Sequence, residues 1–161
     1  MEIIEVVVRV RTSPDETFAF VAEPANGPRF DPTILAISTD PYPMRLGSRN
    51  TVQMRMLGFP VRAETRVVEF EPGRRMMIRS ERPAWPVRAI ASHVCEPDGT
   101  GTRYTYRIEL TPARGMGWLV SRLAGAWRQS TVRAARNLEM LLGPADAGRP
   151  QAHGPASQGA S

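Results

Sequence analysis

The stretch Glu2–Val21, EIIEVVVRVRTSPDETFAFV, decides the fold. Ile4, Val6, Val8 and Val10 alternate with Glu5, Arg9 and Arg11. Period two marks a strand with one dry face and one wet face. Ser13-Pro14-Asp15-Glu16 follows at once. Ser13 suits a helix N-cap, Pro14 suits the first turn, and Glu16 closes a capping box. A strand that passes directly into a capped helix sets the order for the rest of the chain.

The first helix is expected from Pro14 to Ala22, with Phe18, Val21 and Ala22 on its apolar face and Pro24 ending it. Asn26-Gly27-Pro28 reads as a turn, and Arg29–Pro32 as one short helical turn. Alternation then places strands over Ile34–Ile37, Ser48–Leu57, Val61–Phe70, Arg75–Glu81, Val87–Cys95 and Thr102–Leu110. Gly58-Phe59-Pro60, Glu71-Pro72-Gly73 and Asp98-Gly99-Thr100-Gly101 read as the turns between them. Pro83-Ala84-Trp85-Pro86 interrupts the pattern, because proline cannot donate to a ladder. Trp85 suits a lid or a surface contact.

A long helix is expected from Gly117 to Leu142. Val120, Leu123, Trp127, Thr131, Ala134, Leu138 and Leu141 form its apolar stripe, and Trp118 reads as an anchor at its start. Gly143-Pro144 stops it. Beyond that point no aliphatic side chain is larger than Ala. Residues 143–161 are therefore expected to be a disordered tail, leaving one domain over residues 1–142.

The formal charge is +5, and every basic residue other than histidine is Arg. The arginines are dispersed. Arg62, Arg66, Arg79, Arg88, Arg103 and Arg107 fall at alternate strand positions, where they face solvent and pair with Glu64, Glu81 and Glu109. That pattern is a solvated face, so no nucleic-acid partner is expected. Cys95 is the lone cysteine, which excludes an intrachain disulfide. No signal-like start or membrane-length apolar run is present. A cytoplasmic protein with no stable membrane insertion is expected.

Ser13-Pro14-Asp15-Glu16-Thr17-Phe18-Ala19-Phe20-Val21 resembles the opening motif of the SRPBCC group, which includes the START and Bet v 1-like proteins. Phe30-Asp31-Pro32 is similar to that group's aromatic-Asp-Pro motif. Gly47, Glu69–Pro72 and Gly99–Arg103 also sit in matching places. The polyketide cyclase/dehydrase-like branch is the nearest in pattern. The resemblance implies an α+β helix-grip fold: a seven-stranded antiparallel sheet wrapped around the long C-terminal helix, with two short helices after strand one. It also implies an internal cavity for a hydrophobic or amphipathic molecule, lipid-, polyketide- or quinone-like. The expected ligand-binding residues are Phe30, Val52, Met54, Met56, Met76, Ile78, Tyr104, Tyr106, Leu123 and Trp127. Flexible methionine thioethers suit a variable apolar guest. Each of these residues also suits an ordinary dry core.

Candidate chemistry is sparse. His93 shares a face with Cys95 and titrates near neutral pH when unperturbed. Its other reading is a histidine bonded to backbone or water. Asp31 suits a base or a polar contact at the cavity mouth, or a cap on the following turn. Tyr104 and Tyr106 suit hydrogen bonds to a carbonyl, or simple packing. No pair of titratable residues stands out as an acid/base couple. No metal or nucleotide motif is present, so no cofactor is expected. Ligand binding leads. A cyclase or dehydratase in the same cavity is the alternative, and a module that meets a protein or acidic lipid is a third.

Overall fold

A computed structural model describes residues 1–82 and 87–145. Its strands are β1 (Glu2–Val10), β2 (Ile34–Asp40), β3 (Arg49–Met56), β4 (Phe59–Glu71), β5 (Arg75–Arg82), β6 (Val87–Asp98) and β7 (Gly101–Pro112). Its helices are α1 (Pro14–Ala22), α2 (Gly27–Phe30) and α3 (Gly117–Leu142), with a 3-10 turn over Pro24–Asn26. The strands form one sheet in the order β1-β7-β6-β5-β4-β3-β2, antiparallel throughout. The sheet curls around α3, which packs closest to β1 and β7. This is the expected α+β helix-grip architecture.

The capping box forms as its residues require. Glu16 N–H donates to Ser13 Oγ, and Ser13 N–H donates to Glu16 Oε2, each at 3.2 Å. Thr17 and Thr102, both fully buried, fasten α1 to β7. Thr17 Oγ1 donates to Ser13 O at 2.8 Å, and Thr102 Oγ1 donates to Thr12 O at 2.8 Å. Gly101 allows that closeness, because a Cβ there would stand 2.2 Å from the Val10 carbonyl oxygen.

Several expectations need correction. Asn26-Gly27-Pro28 is helical: the 3-10 turn runs directly into α2, with Pro28 in its first turn. The β3–β4 turn is only Leu57-Gly58, with φ of 52° and 84°. Two left-handed residues make the tight hairpin turn that matches sheet twist, so Phe59 and Pro60 join β4. Pro60 is tolerated because β5 pairs with β4 only from Glu64 onward. Alternation in β4 breaks at a register shift between Val67 and Glu69. That shift turns Phe70 inward onto Phe18, edge to face at 5.2 Å.

The chain also stays with the fold past Gly143. Arg11 N–H donates to Gly143 O at 2.9 Å, and Ala145 N–H donates to Arg9 O at 3.2 Å. The apolar content of the tail has no bearing on these bonds, which are backbone pairings to the free edge of β1. Residues 146–161 lie outside the described residues, as do Trp85 and its proposed lid role. Trp118, expected as an anchor, is 65% exposed.

The wet face carries ion pairs, among them the expected partners Glu81 and Glu109. Arg66 meets Glu81, Arg107 meets Glu109 at 2.9 Å and Glu5 at 3.6 Å, and Arg103 meets Glu96 at 3.8 Å. Exposed pairs of this kind contribute about 0–1 kcal/mol each. The dry face makes two packed clusters. One joins Val8, Phe18, Val21, Phe30, Met76, Tyr104, Ala134 and Leu138; the other joins Ile4, Val87, Leu110 and Val120.

Candidate functional site

Between the two clusters lies a cavity of about 300 Å³, with wall residues drawn from both. That is enough room for a small organic molecule. β3 contributes Val52, Met54 and Met56; β5 contributes Met76 and Ile78; β7 contributes Tyr106. α3 contributes Leu123 and Trp127, and α2 contributes Phe30 with Asp31 just after it. Of the residues singled out from alternation, only Tyr104 lies off the wall. It is fully buried behind it.

The room comes partly from small residues that alternation could not rank. Ala63, Ala89 and Ala91 face the cavity from β4 and β6. Ala126 also lines it and is exposed, so the cavity communicates with solvent beside α3. A polar row crosses the sheet: Asn50 pairs with Thr65, and Thr65 with Ser80, and all three line the cavity. Their signal was small polar residues in the dry phase of β3, β4 and β5. Thr65 Oγ1 is buried without a hydrogen-bond partner among the described residues.

His93 and its neighbours are the polar floor. His93 is buried and lines the cavity. Its Nδ1 lies 2.6 Å from Tyr104 Oη, so it bonds to a side chain rather than to backbone or water. Its ring stacks on Tyr106, with centroids 4.7 Å apart and planes 13° apart. His93 and Tyr104 are thus a hydrogen-bonded pair that their positions along the chain do not mark. β6 and β7 pair His93 with Tyr106 and Cys95 with Tyr104, which leaves Tyr104 diagonal to His93. Diagonal partners are within reach of aromatic side chains. The signal was present in the tight turn at Gly99-Thr100, which sets that register.

Burial governs the titration of this floor. Loss of water disfavours the imidazolium and pushes His93 down to about 4, so the ring is neutral at pH 7. Burial raises both tyrosines, and the Asp31 charge adds to the effect. The Cys95 thiol is pushed up to about 12 by burial, which leaves it an inert core group. Asp31 is buried and its carboxyl is raised by desolvation, against the lowering effect of Thr33. Its Oδ1 accepts from Thr33 N–H at 2.9 Å and from Thr33 Oγ1 at 2.6 Å, which caps the turn into β2. Asn137 Nδ2 donates to Phe30 O at 3.0 Å and ties this mouth segment to α3.

Among the described residues, no group of three or more His, Cys, Asp or Glu side chains is gathered to hold a metal. No described helix is long and apolar enough to cross a membrane.

Solved structures share the fold at low identity. TTHA0849 from Thermus thermophilus matches with a TM-score of 0.72 at 14% identity, over 88% of this chain and 97% of its own. A START superfamily protein from Mycobacterium smegmatis matches with a TM-score of 0.69 at 15% identity, over 86% and 98%. The di-domain ARO/CYC protein BexL of the BE-7585A biosynthetic pathway matches with a TM-score of 0.68 at 21% identity. The match covers 89% of this chain and 48% of BexL, about half its length. A search of curated proteins returned no match. The family model described as polyketide cyclase / dehydrase and lipid transport matches residues 1–141, nearly all of the described chain. The chain with this cavity and its His93–Tyr106 floor therefore belongs to the polyketide cyclase / dehydrase and lipid transport family.

Proposed function

We propose that the protein binds one apolar or amphipathic small molecule in the cavity, with its polar end at the floor. One observation carries this reading. A mostly apolar wall, crossed by the Asn50–Thr65–Ser80 row, carries His93 and Tyr106, whose Nε2 and Oη have no protein partner among the described residues and are not sealed from the cavity. Polar atoms left open inside an apolar space are costly unless something occupies them. Val52, Met54, Met56, Met76, Ile78, Leu123 and Trp127 would supply the apolar contact, and Phe30 the mouth.

Native mass spectrometry followed by solvent extraction tests the reading. A stoichiometric apolar adduct is expected. A clean apo mass together with no saturable uptake of N-phenyl-1-naphthylamine would rule it out.

A second reading, cyclisation or dehydration of a poly-carbonyl chain in the same cavity, is favoured by the His93–Tyr104 hydrogen bond beside Tyr106. Such a set can donate to or accept from a reacting oxygen. Conversion of the extracted adduct by purified protein, lost in His93→Gln with binding retained, would favour catalysis over carriage.

A further inference from the structure

We infer that the cavity floor is a seat for a neutral carbonyl oxygen, with His93 Nε2–H and Tyr106 Oη–H as paired donors. This deepens the ligand-binding reading and rests on it. Tyr104 sets the arrangement. Its side chain is fully buried, and its hydroxyl has one partner among the described residues, His93 Nδ1 at 2.6 Å. The phenol proton needs an acceptor, and Nδ1 is the one in reach. Nδ1 is then the unprotonated nitrogen, and the neutral ring carries its proton on Nε2. Tyr104 is thus a positioning residue that acts through His93 without lining the cavity.

Nε2–H is therefore a donor on the cavity side. Tyr106, stacked on the same imidazole, offers a second donor at the same wall. Two adjacent donors fit an oxygen that brings two lone pairs and no proton, as a ketone or quinone carbonyl does. A carboxylate fits poorly. Asp31 is an acidic residue on this wall, and Arg55 is the wall's cationic residue among those described. Arg55 is exposed on β3, which β4 and β5 separate from His93 on β6.

The tautomer is read first, from long-range 1H–15N correlations of the His93 imidazole in the free protein. Protonated Nε2 with bare Nδ1 is expected; the reverse overturns the seat. Tyr104→Phe should release a population protonated at Nδ1. Binding of 1-tetralone, tetralin and 1-naphthoate is then compared at neutral pH. Tetralone should bind at least about tenfold more tightly than either of the others. Tyr106→Phe should reduce the tetralone-to-tetralin ratio several-fold. Equal binding of tetralone and tetralin would overturn the seat and leave the cavity reading standing. Preference for naphthoate would overturn it as well. Binding of none of the probes would overturn both.

Discussion

Residues 121–130 and residues 131–138 belong to one helix, share one apolar stripe, and meet different surroundings. In the later stretch Thr131, Ala134, Ala135 and Leu138 are all 2% exposed or less. Ala134, Ala135 and Leu138 join the cluster of Val8, Phe18, Phe30 and Tyr104, and Thr131, at the boundary, lines the cavity. In the earlier stretch no residue is buried, and Leu123, Ala126, Trp127 and Ser130 face the cavity. The difference lies in what stands opposite. α1 and α2 fill the space near Leu138, and the Asn137–Phe30 bond holds α2 there. Around the cavity the sheet offers Ala63, Ala89 and Ala91, whose short side chains leave room that larger ones would fill. Helical spacing tells which face turns inward; the volume of facing side chains decides whether that face is core or cavity wall.

The strongest test of this contrast is a pair of truncations. Leu138→Ala should destabilise by about 2–5 kcal/mol, the range for a fully buried leucine that leaves a cavity. Leu123→Ala should cost under about 1 kcal/mol, because its side chain already borders empty space. Chemical denaturation measures both. Equal losses would erase the distinction between the two stretches.

The floor gives the next largest effect, and it depends on pH. Unfolded His93 takes its proton near 6.5, whereas the folded ring resists until about 4. Between those values the unfolded state binds more protons, so stability falls as pH drops. The loss reaches on the order of 3 kcal/mol at about 1.4 kcal/mol per pH unit. Asp31 works in the opposite direction, since its raised carboxyl favours the folded state as it protonates. Melting curves from pH 7 to 4.5 should show the decline, and His93→Phe should flatten it. An unchanged slope in the variant would mean that the ring is not kept neutral by burial.

Much of this was legible from residue order. Ser13, Pro14 and Glu16 mark the start of α1, and Gly143 marks the end of α3, as their punctuation implies. The inner faces of β3, β5 and β7 follow from alternation. The bulge that turns Phe70 inward does not, because alternation assumes an unbroken register. Nor was the His93–Tyr104 bond visible along the chain. It depends on cross-strand register, which only the Gly99-Thr100 turn encodes. Cavity size is the least legible feature, since it depends on alanines that read equally well as packed core.

The wet face supplies the smallest expected effect. Arg66→Gln removes a pairing with Glu81 at the surface and should change stability by under about 1 kcal/mol, as denaturant titration would show. A larger loss would mean that the arginine face contributes to the fold on the scale of the inner face.

Above all, we hold that the space beside residues 121–130 is a ligand cavity and not a loosely filled core. Ala91→Phe places a ring into it from the centre of the sheet. The most direct measurement is a fluorescence titration with N-phenyl-1-naphthylamine, run on the parent protein and on this variant, with melting temperatures alongside. Saturable one-to-one binding in the parent, lost in a variant that melts no lower, is the predicted result. Equal binding in both proteins, or none in the parent, would contradict it.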